Sequence, residues 1–146
     1  MRFRYEFVVE APLELVSAFH ANPAALERLT PPPVRLRWEH LEPVAEGSVV
    51  RFVLHLGPFP IRWAARHRAV SPFGFTDEQL EGPFRRWVHT HRFEPRGAQR
   101  TAILEEIEAE WPRHPIRWIL ATAIWMGLPM LFAYRARKLQ ALVRHP

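Results

Sequence analysis

The sequence predicts an α+β domain with an antiparallel meander of six or seven strands, two short helices between the first two strands, and one long C-terminal helix. Three observations predict it. Short runs of alternating apolar and polar residues recur along the chain, the pattern of half-buried strands. The runs are joined by brief Gly- and Pro-containing turns, which join antiparallel neighbours and are too short for parallel crossovers. The long uncharged stretch, residues 118–134, lies near the C-terminus, where a helix is needed to cover the sheet's apolar face. A chain of 146 residues is one domain by length.

Each element has its own local reason. Residues 2–10 set Phe3, Tyr5, Phe7 and Val9 against Arg2, Arg4 and Glu6, a strand with one wet face. Pro12, placed as the first helical residue, opens a helix carrying Leu13, Val16 and Phe19 on one side. Asn22-Pro23 caps a second short helix running to Leu29, and Thr30-Pro31-Pro32-Pro33 ends it. Strands follow at 34–42, 48–57, 61–71, 75–81, 84–94 and 99–111. The Gly57-Pro58-Phe59-Pro60 turn reads either as a rigid connection or as a lid. Pro112 and Pro115 stop the last strand, and a helix over 114–144 is expected to bend near Gly127 and Pro129.

Composition narrows the function. No cysteine is present, which excludes disulfides, thiolate metal sites and a cysteine nucleophile. Lys138 is the sole lysine among 20 basic residues, and with 15 prolines this bias points to a GC-rich genome or a hot habitat. The net charge is +5, but Arg62, Arg66, Arg68, Arg86 and Arg92 sit on strand faces that Glu106, Glu108 and Glu110 can match. That arrangement speaks against nucleic-acid binding. The chain opens on a strand in place of a charged-then-apolar leader, so a cytoplasmic location is expected. The 118–134 stretch is at the short limit for a membrane span; Arg117, Gly127 and Pro129 favour a packed helix, with membrane or partner contact through 116–134 as the alternative.

The most informative segment is residues 82–93. Read with a period of two, it places Trp87, His89, His91 and Phe93 on one face. Aromatic rings bracketing two imidazoles on an inward face suggest a pocket wall. The same parity turns His67, Phe75, Asp77, Gln79 and Glu105 to that side, and hairpin register sets Glu105 beside His89 or His91. Trp38, Phe52, Trp63, Trp118, Trp125 and Met126, with Met130, are candidates for an apolar lining. A carboxylate beside an imidazole either recognises a polar ligand group, acts as acid and base, or satisfies itself as a buried network. Two histidines and an acid also match a metal set in ligand type, but no metal or other cofactor is expected.

The segments Phe75-x-Asp77-x-Gln79-x-x-Gly82-Pro83 and Trp87-x-His89-x-His91-x-Phe93, followed by Thr101, Glu105 and Trp111-Pro112, resemble the bacterial ligand-binding branch of the START-like superfamily. The order of elements along the whole chain resembles its helix-grip fold. Glu105 stands where an Asp is more usual, and Ala109 where an aromatic is common. The resemblance implies a curved sheet around the C-terminal helix, with an elongated cavity between them. It implies binding of a hydrophobic or amphipathic small molecule, such as a lipid, polyketide or isoprenoid. The alternative is a cyclase or dehydratase using His89, His91 and Glu105 as acid and base.

Overall fold

The alternating runs form a single antiparallel sheet in a computed structural model that describes residues 1–144. Its strands are β1 (Arg2–Val9), β2 (Arg35–His40), β3 (Val49–Leu56), β4 (Phe59–Ser71), β5 (Gly74–Glu81), β6 (Arg86–Pro95) and β7 (Thr101–Glu110). The helices are α1 (Leu13–Ala21), α2 (Ala25–Arg28) and α3 (Pro115–Arg144). Spatial order is β1-β7-β6-β5-β4-β3-β2. Strands β2 to β7 form the expected meander, and α1 with α2 carries the chain from one edge of the sheet to the other.

Local chemistry moves several boundaries. Pro12 is the cap before α1, in extended conformation, and not its first residue. It still starts the helix, because its carbonyl accepts from the Leu15 and Val16 amides. Asn22 accepts from the Ala24 amide at 3.0 Å, so a turn precedes α2 and leaves it a single turn long. Strand β4 begins at Phe59, which makes the segment after Leu56 a tight hairpin turn and no lid. Strand β6 begins at Arg86, because Phe84 turns into the core and the Arg85 amide bonds the Glu110 carbonyl. Helix α3 is one element through Gly127 and Pro129.

Three apolar clusters fill the inner face. Leu139 and Val143 of α3 pack with Val9, Val16, Phe75, Phe93 and Ile103. Ala121, Leu128 and Phe132 pack with Phe84, Trp87 and Ile107. Val50, Phe52 and Ala65 form the third, with Leu26 of α2 and the half-buried Trp38 and Trp63 against them. The helix therefore covers the β1-β7-β6 half of the sheet most closely. The outer face is laced with ion pairs, but only partly as expected. Glu106 and Glu108 face Arg4 and Arg2 of β1, and Arg86 also reaches Glu108, while Arg62 and Arg68 turn to Glu39 and Glu78. Exposed pairs of this kind are screened by water and contribute little to stability.

One glycine positions the site. Gly74 adopts φ +138, and a Cβ there would lie 2.0 Å from the His91 carbonyl oxygen. It lets β5 approach β6 at the level of the histidines. Gly74→Ala is expected to cost about 2–3 kcal/mol in urea unfolding, the scale of overpacking. A loss below about 0.5 kcal/mol, the level of a neutral surface change, would show that the approach is not required.

Candidate functional site

Register brings the predicted polar residues into one line across four strands. His67 is opposite Asp77, Asp77 opposite His89, and His91 opposite Glu105. Their side chains reach diagonally as well. His89 Nε2 donates to Glu105 Oε2 at 2.7 Å, and His91 Nε2 donates to Asp77 Oδ2 at 2.9 Å. His67 Nε2 lies 3.0 Å from Asp77 Oδ1, and its Nδ1 is 2.9 Å from Ser48 Oγ. His91 Nδ1 lies 2.9 Å from Glu105 Oε2 but is not aligned to hydrogen-bond it, so this contact is Coulombic only. The result is a continuous chain, Ser48–His67–Asp77–His91–Glu105–His89, set in a dry face.

Burial and charge act against each other here. Burial alone would neutralise every member, but the opposite charges outweigh it at three positions. Desolvation disfavours the His91 imidazolium, yet Glu105 and Asp77 raise it to about 10. Burial would raise Asp77, but hydrogen bonds from His67 and His91 hold it well below the usual carboxylate range. Glu105 is likewise depressed, chiefly by the charge of His91. At His89 desolvation wins, assisted by the like charge of His91, and the ring is neutral near pH 7.

Two groups that pattern reading missed complete the cluster. Arg135 of α3 lies among these charges, with Glu105 and Asp77 favouring its ionised form while burial opposes it. Its Nε donates to the Leu29 carbonyl at 3.3 Å, and its guanidinium lies 5.3 Å from the centre of the Phe132 ring. A sequence signal existed: Arg135 falls three residues after Phe132 and four before Leu139, on the stripe that is buried. His20 of α1 is the other. Its ring sits 4.7 Å from Phe93 and 6.2 Å from His91, and burial lowers it to about 4.

Asp77, His89 and His91 offer ligand atoms within 4.8 Å of one another, a set able to hold a divalent cation. Within the cluster these ligand atoms are already engaged, Asp77 Oδ2 by His91 Nε2 at 2.9 Å and His89 Nε2 by Glu105 Oε2 at 2.7 Å, an arrangement that suits a hydrogen-bonded network.

The aromatic candidates divide into groups. Trp38, Phe52 and Trp63 form a row across β2, β3 and β4, with ring centres 5.5 and 6.4 Å apart, and Trp63 meets Trp87 at 5.4 Å. Phe75 stacks on His91 at 4.5 Å, and Phe93 stands behind it at 6.4 Å. Trp125 lies on the β1 side, against Trp111 and Phe3. Three candidates are placed elsewhere. Trp118 is 50%, Met126 75% and Met130 81% exposed, because all three fall on the outer side of α3. Gln79 is not part of the network: its Nε2 donates to the Phe84 carbonyl at 2.8 Å and secures the turn before β6. Two surface clefts lie on the outer sheet face, one of about 290 Å³ bordered by Arg4, Thr90 and Glu106. Between sheet and helix, rings pack on the inner face, His89 against Phe132 at 5.6 Å among them.

No family model matches the chain, and no curated protein does. Solved structures do. A Chromobacterium violaceum protein superposes with a TM-score of 0.78 at 15% identity, covering 100% of this chain and 99% of that one. A Streptomyces aromatase/cyclase superposes at 0.77 with 15% identity, covering 99% and 93%. Norcoclaurine synthase from Thalictrum flavum, in complex with dopamine and hydroxybenzaldehyde, superposes at 0.73 with 17% identity, covering 100% and 88%. Likeness along the whole chain, joined to a seven-stranded antiparallel sheet with a long C-terminal helix, shows that the chain has the helix-grip fold of these structures.

Proposed function

We propose that the chain binds a hydrophobic or amphipathic small molecule on the inner sheet face, with the histidine–carboxylate chain reading the polar end of the ligand. One observation carries this reading. One buried N–H on that face, Trp38 Nε1, has no hydrogen-bond acceptor among the described residues, and a second, His91 Nδ1, meets Glu105 Oε2 at 2.9 Å without hydrogen-bond alignment. Buried donors are almost always paired, so an orphaned one marks a place for a partner oxygen. The row Trp38, Phe52, Trp63, Trp87 supplies apolar surface running from one donor toward the other.

A second reading has its own support. The His89–Glu105 hydrogen bond pairs a neutral imidazole with an ionised carboxylate in a dry setting, which suits acid–base catalysis. Similar structures include an aromatase/cyclase and a synthase, so enzymes occur on this fold. Native mass spectrometry of the purified chain tests the two together. A binder is expected to carry an apolar ligand and return it with unchanged mass; a catalyst would release a product of altered mass. If no ligand copurifies and no apolar probe binds, the proposal fails.

A further inference from the structure

We infer that the outer face of α3 docks on an anionic lipid bilayer. Ile116, Ile119, Ala123, Met126 and Met130 recur at three- and four-residue intervals and so form one stripe. Ile116 is 72%, Ile119 65% and Met130 81% exposed, so the stripe lies in water. Exposed apolar groups on this scale normally mark an interaction surface. The opposite side of the same helix, with Ala121, Leu128, Phe132 and Leu139, is buried against the sheet. Helix α3 is long and apolar enough to cross a membrane. With its inner face committed to the sheet, however, it fits the plane of a bilayer interface and not a span.

Charge selects the partner. Helix α3 contains no Asp or Glu. Arg137 continues the stripe one heptad beyond Met130, and Lys138 and Arg144 flank it, all three exposed. Exposed Arg113 stands just before the other end. Face-to-face packing of two copies would bring these cations together with no acidic residue on either helix to offset them. Anionic headgroups meet both requirements, accepting the isoleucines and methionines below and the cations at the surface. Trp118, half-exposed near the start of the helix, has the amphipathic ring that favours the headgroup level.

Cosedimentation of the full chain with phosphatidylcholine vesicles, with and without phosphatidylserine, tests this. The chain is expected to bind the phosphatidylserine vesicles, to bind pure phosphatidylcholine far more weakly, and to be released by salt. Ile119→Glu with Met126→Glu should abolish binding, and Arg137→Gln with Lys138→Gln should weaken it about 25-fold, from roughly fivefold per cation. Both double variants change exposed side chains, and unchanged circular dichroism will confirm their fold; salt release of the unaltered chain is a further readout that needs no variant. Failure to bind phosphatidylserine vesicles would overturn the inference, as would equal binding to both lipids. Sedimentation of the chain as a dimer that Met126→Glu dissociates would assign the face to a second copy and overturn it as well.

Discussion

Glu105→Leu is expected to remove about 3–5 kcal/mol of folding stability, the cost of leaving the partner of a buried ion pair alone. Glu105 is 6% exposed and holds two histidines at once, His89 at 2.7 Å and His91 at 2.9 Å. Without it, the His89 N–H loses its acceptor and the His91 imidazolium keeps only Asp77. For a domain stabilised by roughly 5–15 kcal/mol, such a loss is large. Glu105→Gln should cost less, because its amide oxygen can still accept from His89 while the charge is gone. Urea midpoints with an unchanged denaturant slope will measure both. A cost below about 1 kcal/mol for the leucine variant would mean that the network contributes little to folding.

Stability should peak near pH 6.5 and fall on both sides. On the alkaline side the cause is His91, which holds its proton more tightly folded than unfolded. Its contribution is complete below its ordinary value of 6.5 and is lost as pH rises toward about 10. Across that window the slope should approach about 1.4 kcal/mol per pH unit. On the acid side the unfolded chain accepts protons that the folded chain refuses. His20 is lowered to about 4 by burial and His89 is lowered too, so stability declines from about 6.5 downward. Asp77 and Glu105 add to the loss once pH falls below their ordinary 3.8 and 4.5. Urea unfolding across this range will show the profile, and a flat alkaline limb would contradict the assigned charge of His91. In Glu105→Gln that limb should shrink, since the largest source of the His91 shift is removed.

Both expectations depend on residues whose grouping was readable from strand parity. A period of two is rigid, so every second residue of a paired strand faces the same side, whatever the rest of the fold does. Turn chemistry then fixes which strands are neighbours. That is why His67, Asp77, His89, His91 and Glu105 were placed on one face, and why the network across β4 to β7 was foreseeable. Gln79 shares the parity but not the role. Its side chain is drawn to the Phe84 carbonyl by a turn whose path the alternation does not encode.

Helical residues were harder, for a physical reason. An uncharged stretch such as 118–134 has no polar side to show which way it faces. Trp118, Met126 and Met130 read as pocket lining and are exposed, whereas charged Arg135 turns toward the buried carboxylates. Parity of the strands and the order of elements determined the fold and the inner polar row. The rotation of α3 about its axis, settled by Leu128, Phe132 and Leu139 packing on the sheet, decided what that row meets and which apolar side chains are left in water.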